Sequence, residues 1–264
     1  MTDVLVCVKR VPDSSGQILL TDDAQAVDGR FVGFTISNHE LSAIELAIRM
    51  ADATGGSVTL LTIGPAEAVE QLRSGLSLGC QAAVLVETDA ARLGPSDVAH
   101  EIATVIKDHE TRPDGPGPGN GRGYDVVLLG NDAADSGDFQ VPIRLSYLLG
   151  RPVVTGASLV EVADGNVAAY VDGPDGEETY SVPTPAIVSV LEGGPEPRYP
   201  SLKGRMAAKK VQIEMRTPSH DPVGANRVRL FLPPAQPSNV EVLGVGPEAA
   251  AAVVDLLERL QVAR

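Results

Sequence analysis

The densest chemistry in this chain lies in one loop. Gly130-Asn131-Asp132-Ala133-Ala134-Asp135-Ser136-Gly137-Asp138-Phe139-Gln140-Val141 follows an apolar run and leads into a helix expected to begin near Pro142. A Gly/Asp-rich passage from strand to helix points backbone N–H groups at the helix start, and such a set can hold a phosphate. Loops of this kind also serve as plain tight turns, and the residues alone leave both readings open. The pattern is not a G-x-G-x-x-G fingerprint. Its aspartates could in principle bind a metal, but their spacing misses the EF-hand loop, so a solvated turn is expected. Three other segments end at strand termini, where open α/β sheets bind ligands: Cys7-Val8-Lys9, Ser37-Asn38-His39-Glu40 and Ile63-Gly64-Pro65.

No catalytic set stands out. His39, His100, His109 and His220 have no metal-ligand spacing, and each is expected to be a solvated surface residue. No metal site is expected. Cys7 and Cys80 sit among apolar neighbours and read as small buried hydrophobes. Ser14-Ser15 lacks a nucleophile-elbow context. The insertion at 112–122 is rich in Gly and Pro and lacks the Lys-Ser/Thr ending of a P-loop. It is expected to be a mobile surface loop with no nucleotide role.

The elements that position these residues follow from periodicity. Apolar runs at 4–8, 58–63, 83–86 and 126–129 read as buried parallel strands. Helical patterns alternate with them. Ser37-Asn38-His39-Glu40 fits a capping box, followed by Leu41, Ile44, Ile48 and Ala51 on one face. Val69, Leu72 and Leu76 share a face after Gly64-Pro65, and Val98, Ile102 and Val105 share one after Gly94-Pro95. The fold expected is α/β: a doubly wound, mostly parallel sheet of Rossmann-like type. After Gly150 shorter strands are expected at 157–162, 167–171, 178–182 and 186–190, forming an antiparallel extension. The domain expected spans 1–217. A C-terminal arm at 218–264 follows, in which 228–232 is expected to pair as a strand. It ends in an amphipathic helix bearing Val253, Val254, Leu257 and Leu260, placed against either its own domain or a partner.

The net charge of −14 argues against nucleic acid as a partner. The absence of a long apolar run argues against membrane insertion, and no signal-type segment is seen, so a cytoplasmic location is expected. Within this acidic chain, 195–210 is unusual. Arg198, Tyr199, Leu202, Lys203, Arg205 and Met206 follow closely spaced prolines and run into an Ala/Lys helix start. One apolar anchor ringed by positive charge suits a transient protein contact.

Several stretches, in this order, resemble the β subunit of electron transfer flavoprotein, the FixA type. They are Val8-Lys-Arg-Val-Pro-Asp13, Ile63-Gly-Pro65, Leu72-Arg-Ser-Gly-Leu-Ser-Leu-Gly79, Val127-Leu-Leu-Gly130, Pro183-Thr-Pro-Ala-Ile-Val188 and Glu196-Pro-Arg-Tyr-Pro-Ser-Leu202 through Ala207-Ala-Lys-Lys210. The resemblance covers about residues 1–215. It implies an electron carrier rather than an enzyme, working as a heterodimer with an α subunit that holds most of an FAD site. Its partners would be flavoprotein dehydrogenases, such as acyl-CoA dehydrogenases, and a quinone reductase or other acceptor. It also implies a structural AMP on this chain, held by Cys7, the Ser37-Asn38-His39-Glu40 turn, Ile63 and the Gly130 to Val141 loop, with Leu202 as the docking anchor. The chain departs from the family pattern in places. Ser37-Asn38-His39-Glu40-Leu41 replaces the usual Asn-Pro-x-x-Glu. Val141 stands where a hydroxyl is usual, and Ser14 where a Tyr near the flavin is common. The family's acidic turn is partly kept in Asp172-Gly-Pro-Asp-Gly-Glu177. Gln140-Val141 is similar to members that bind a second FAD in place of AMP and bifurcate electrons. A stand-alone nucleotide-binding protein of universal-stress type shares the expected sheet, but its phosphate-loop spacing is missing after Gly130.

Overall fold

The computed structural model describes residues 1–112, 123–224, 228–234 and 240–262. Most of the insertion expected as a loop at 112–122 lies outside the described residues. The strands are β1 Val4–Cys7, β2 Val11–Pro12, β3 Phe34–Thr35, β4 Val58–Gly64, β5 Ala82–Glu87, β6 Val126–Gly130, β7 Val153–Ala163, β8 Asn166–Gly173, β9 Gly176–Pro183, β10 Ala186–Val190 and β11 Glu214–Arg216. The helices are α1 Asn38–Thr54, α2 Val69–Leu78, α3 Pro95–Thr111, α4 Val141–Leu149, α5 Leu202–Ala208 and α6 Ala250–Arg259.

Nine strands form one sheet in the order β11-β5-β4-β1-β6-β10-β7-β8-β9, and β2 and β3 pair separately as a short antiparallel ribbon. All neighbours are parallel from β11 through β10 to β7, while β7, β8 and β9 form an antiparallel meander. The doubly wound α/β expectation therefore holds. The meander turns at Asp164 and Gly165, both with positive φ, as a tight hairpin of this hand requires.

One correction concerns β10. It was expected in the antiparallel extension, yet it pairs in parallel with both β6 and β7. Its residues are all buried, and a near-continuous apolar run of that kind, broken only by Ser189, marks an interior parallel strand. The meander extends the sheet to its edge and the chain then returns to its interior between β6 and β7, an order that local pattern does not encode. A second correction concerns 228–232, where no strand forms. A single backbone bond runs there, from the Leu230 N–H to the Ala24 carbonyl.

Strand alternation splits the core in two. Val4, Val6, Leu60, Leu128 and Val188 face α1 and α2, whose Ile44, Ala47, Ile48, Leu72 and Leu76 cover them. Leu5, Leu61, Val84, Val127 and Ile187 face the other way, toward Ile102, Ile106 and Leu145 of α3 and α4. With few aromatics available, aliphatic side chains fill both layers, and Tyr124 is the largest side chain that is fully buried.

The chain forms two compact units, Met1–Leu230 and Phe231–Arg264. The segment after β11 belongs to the first. Ser219 donates to Glu101, and the N–H groups of Val223 and Gly224 donate to Asp97. The second unit contains α6, preceded by a short turn at Gly246–Ala249. No helix among the described residues is long and apolar enough to cross a membrane.

The position of β10 gives a direct test. Ile187 is fully buried between two parallel neighbours. Ile187→Ala should destabilise the protein by about 3 kcal/mol in urea unfolding, the usual scale for an emptied core site. A loss below about 1 kcal/mol would mean that β10 is not interior.

Candidate functional site

The sheet order reverses between β1 and β6, because β1 is followed on one side by β4 and β5 and on the other by β6 and β10. A crevice at the carboxyl ends of the strands is expected there. The structure brings Cys7, Lys9, the start of α1 and the loop after β6 to this point.

Glu40 organises the crevice. Ser37 caps α1, and its hydroxyl accepts the Glu40 N–H at 3.3 Å while donating to Glu40 Oε2 at 2.8 Å. Glu40 Oε2 also accepts the Ser37 N–H, and Oε1 accepts the Lys9 N–H at 2.8 Å. The expected capping box therefore forms, and it additionally ties the helix to the chain leaving β1. Burial pushes the Glu40 carboxyl up to about 7, against the opposing pull of the bonds from Ser37 and Lys9. Gly130 closes the arrangement. A Cβ there would lie 3.1 Å from Glu40 Cγ and 3.3 Å from His39 Cβ, so glycine lets β6 end directly against α1.

The loop after β6 is tied down rather than merely solvated. His39 Nδ1 lies 2.9 Å from Asp132 Oδ1, and Lys9 Nζ lies 2.6 Å from Asp135 Oδ1. Asn131 Oδ1 accepts the Ser189 hydroxyl at 2.8 Å, and its N–H donates to the Val190 carbonyl. Within the loop, the N–H groups of Ser136 and Gly137 donate to the Ala133 carbonyl, with Gly137 at φ +63°. The Ala133 N–H returns to the Asp138 carbonyl, and Asp138 Oδ1 accepts the Gln140 N–H. Ala134, Asp135, Ser136, Phe139 and Gln140 are exposed.

The two helix starts at the crevice differ. The N-terminus of α1 is satisfied from within by Ser37 and Glu40. That of α4 has no side-chain cap, and Pro142 sits in its first turn. Arg144 stands one step along and bonds Gln140 Oε1 through two guanidinium nitrogens. An uncapped helix start beside a guanidinium fits the phosphate end of a nucleotide. Asn38 donates to Glu192, just past the end of β10, at 2.9 Å. Ile63, near the end of β4, packs on the α3/α4 side of the core. Cys7 is half-buried and Cys80 buried, both free. Burial raises both thiols, Cys80 to about 12, with Glu40 adding to the effect at Cys7.

The loop at 195–210 is held at both ends. Arg198, expected to face a partner, turns inward instead. Its backbone N–H and its Nε both donate to Oε2 of buried Glu45 on α1, at 3.1 and 2.8 Å. Burial would raise the Glu45 carboxyl, but the Arg198 and Arg49 bonds outweigh it and hold it down at about 2. Ser201 caps α5 by accepting the Gly204 N–H. Gly204 lies so close to α2 that a Cβ would stand 2.4 Å from the Ser77 carbonyl oxygen. Arg73 of α2 donates to the carbonyls of Ala208 and Val211. Between these tethers, Tyr199 is 87% and Leu202 80% exposed, with Lys203, Arg205 and Met206 beside them.

The histidines need correction. They were expected to be solvated, yet His109 is buried, 2.8 Å from the Tyr124 hydroxyl and 3.2 Å from Glu214. Burial keeps its imidazole below the usual value, against the pull of Glu214. His39 meets Asp132, and His220 meets Asp97 and Glu101. Of the four, His100 alone is exposed. Most of these partners are distant in sequence and leave no local signal. The same holds for Glu45, Ser189 and Glu192. Lys9 did carry a local signal, since Cys7-Val8-Lys9 ends at a strand terminus.

A family model for the electron transfer flavoprotein domain matches residues 30–221, a span that includes α1, the crevice loop and the Leu202 turn. The chain belongs to the electron transfer flavoprotein β-subunit family. It is 30% identical over 240 residues to the electron transfer flavoprotein subunit beta of Syntrophomonas wolfei, covering 90% of this chain and 89% of that relative. It is 30% identical to the protein of the same description from Bacillus subtilis, over 97% of both chains. The one from Bradyrhizobium diazoefficiens is 33% identical over 81% of each chain. Flavin-linked electron transfer is the family's activity, and a β subunit of this family implies an α subunit as partner.

The elevated Glu40 carboxyl gives the site its own test. A folded-state value above the unfolded one means that its stabilising contribution is full below about pH 4.5 and is lost as pH rises through 7. Carboxyl carbon NMR should find its midpoint near pH 7. A midpoint near 4.5 would mean that the carboxyl is solvated and does not tie α1 to β1.

Proposed function

We propose that this chain is the β subunit of a heterodimeric electron transfer flavoprotein, which takes electrons from a flavoprotein dehydrogenase and passes them to a separate acceptor. It completes an FAD site carried mainly by the α subunit. FAD, when bound, supplies the redox chemistry. The residues of this chain supply recognition and nucleotide holding. In this reading the crevice at β1 and β6 takes AMP. The uncapped start of α4 with Arg144 meets the phosphate, and the loop from Asn131 to Gln140, braced by Lys9 and His39, encloses it. The likeness of Gln140-Val141 to second-FAD members supports an alternative in which flavin occupies the same place.

The observation that carries the electron-carrier reading is the Leu202 turn. Tyr199, Leu202 and Met206 are all exposed on one doubly tethered turn with basic residues beside them, and apolar surface rimmed by charge marks an interaction site. Such a turn is the form expected of a docking anchor, which loses little freedom on binding. Lys203 and Arg205 flank it in a chain of net charge −14. They would steer encounter with an acidic rim on the dehydrogenase without making the complex tight. A carrier must let go of its donor, and a single anchor suits that need.

Leu202→Ala tests this. Electron transfer from the dehydrogenase should slow by about tenfold or more, the effect of losing one interface hot spot, while the flavin content of the purified heterodimer stays the same. An unchanged rate would reject the turn as the docking site. Loss of flavin would give it a structural role instead.

A further inference from the structure

A second cluster of ionisable groups lies where the segment after β11 crosses the first turns of α3. His100 and Glu101 are consecutive on α3, and His220 comes from the crossing segment. One donor atom from each of the three lies within 4.8 Å of the others. Glu101 is buried, and its Oε1 accepts the N–H and the hydroxyl of Ser219 at 2.8 and 2.9 Å. The same oxygen lies 2.8 Å from His220 Nδ1. The opposite ring nitrogen, Nε2, lies 3.3 Å from Asp97 Oδ1. Asp97 is itself fixed by the N–H groups of Gly94, Val223 and Gly224. The His100 ring packs edge-on against that of His220, with centroids 4.5 Å apart.

We propose that His100, Glu101 and His220 form a binding site for a divalent transition metal ion such as Zn²⁺, with His220 coordinating through Nδ1. Asp97 orients the ring. When Nε2–H donates to Asp97, Nδ1 presents its lone pair to the Glu101 carboxylate. Two acceptors 2.8 Å apart require a cation between them, either a proton or a metal ion. His100 favours the metal, because it places a third ligand atom within 4.8 Å of the other two. Two imidazoles and a carboxylate are a usual set for zinc, and a carboxylate behind a ligating imidazole is the usual outer support. Tetrahedral zinc ligands stand about 3.3 Å apart, so on binding the 2.8 Å Nδ1–Oε1 gap would open by about half an ångström and the exposed His100 ring would turn in from its place within 4.8 Å. Three protein donors at a partly exposed edge leave a fourth position for water. The bound ion would pin the crossing segment to α3.

The test uses the full-length, untagged chain purified with its α-type partner, stripped with a chelator and titrated with Zn²⁺ by calorimetry and with Co²⁺ by visible absorption. We expect saturable binding of one ion per β chain. Binding should weaken at least about tenfold in both His100→Ala and His220→Ala. His100 is exposed, so His100→Ala keeps the fold, which an unchanged melting temperature of the metal-free protein would verify. Zinc should raise the melting temperature of the parent but not of the variants. Absence of saturable binding would overturn the proposal. So would binding that His100→Ala leaves unchanged, which would mean that His220 only hydrogen-bonds Glu101 and Asp97.

Discussion

Two buried carboxylates on α1 hold together everything that bears on function. Glu40, in the first turn, gathers the N–H of Lys9 and both donors of Ser37, and so fixes the helix start against the end of β1. Glu45 receives Arg198 from the far end of the chain. Each group is costly to bury, and each is offset differently. Glu45 has a guanidinium and stays ionised. Glu40 has only neutral donors on its carboxylate, and its carboxyl is correspondingly raised. One helix thereby sets both the floor of the crevice at the strand ends and the base of the Leu202 turn.

This arrangement separates the chain's two proposed tasks while keeping them on one rigid element. The crevice lies at the strand ends, enclosed by a loop tied through Asp132 and Asp135 to His39 and Lys9. The Leu202 turn packs against α2, braced by Arg73 and by the close approach of Gly204 to Ser77. In the proposed docking, contact at Leu202 would be made by a turn already tethered at both ends, which favours fast encounter and release over tight binding.

Much of this was legible in the sequence where the information is local. Period and capping residues mark α1, α2 and α3, and apolar runs mark β1, β4, β5 and β6. The Gly130 loop and the Leu202 turn stand out as candidates because their residue types conflict with their surroundings. What stayed hidden depends on distant pairing. β10 looks like its neighbours in the meander, yet it lies inside the parallel sheet, since a run such as Ala186-Ile-Val-Ser-Val190 does not specify its partner strands. Arg198 reads as one more basic residue of the turn, and only the fold reveals Glu45 beneath it. The histidines looked solvated because their acidic partners lie far along the chain. Side-chain chemistry is written locally, but burial and partnership are set by topology.

The most direct measurement is the nucleotide content of the purified heterodimer. The chain is co-expressed with its α-type partner, the complex is denatured, and the released nucleotides are separated and counted. The account predicts one FAD and one AMP per heterodimer. Two FAD molecules and no AMP would put a second flavin in the crevice and make the complex a bifurcating one. FAD with no second nucleotide would contradict the assignment of the Gly130 to Val141 loop, and failure to form any flavin-containing complex would contradict the electron-carrier function itself.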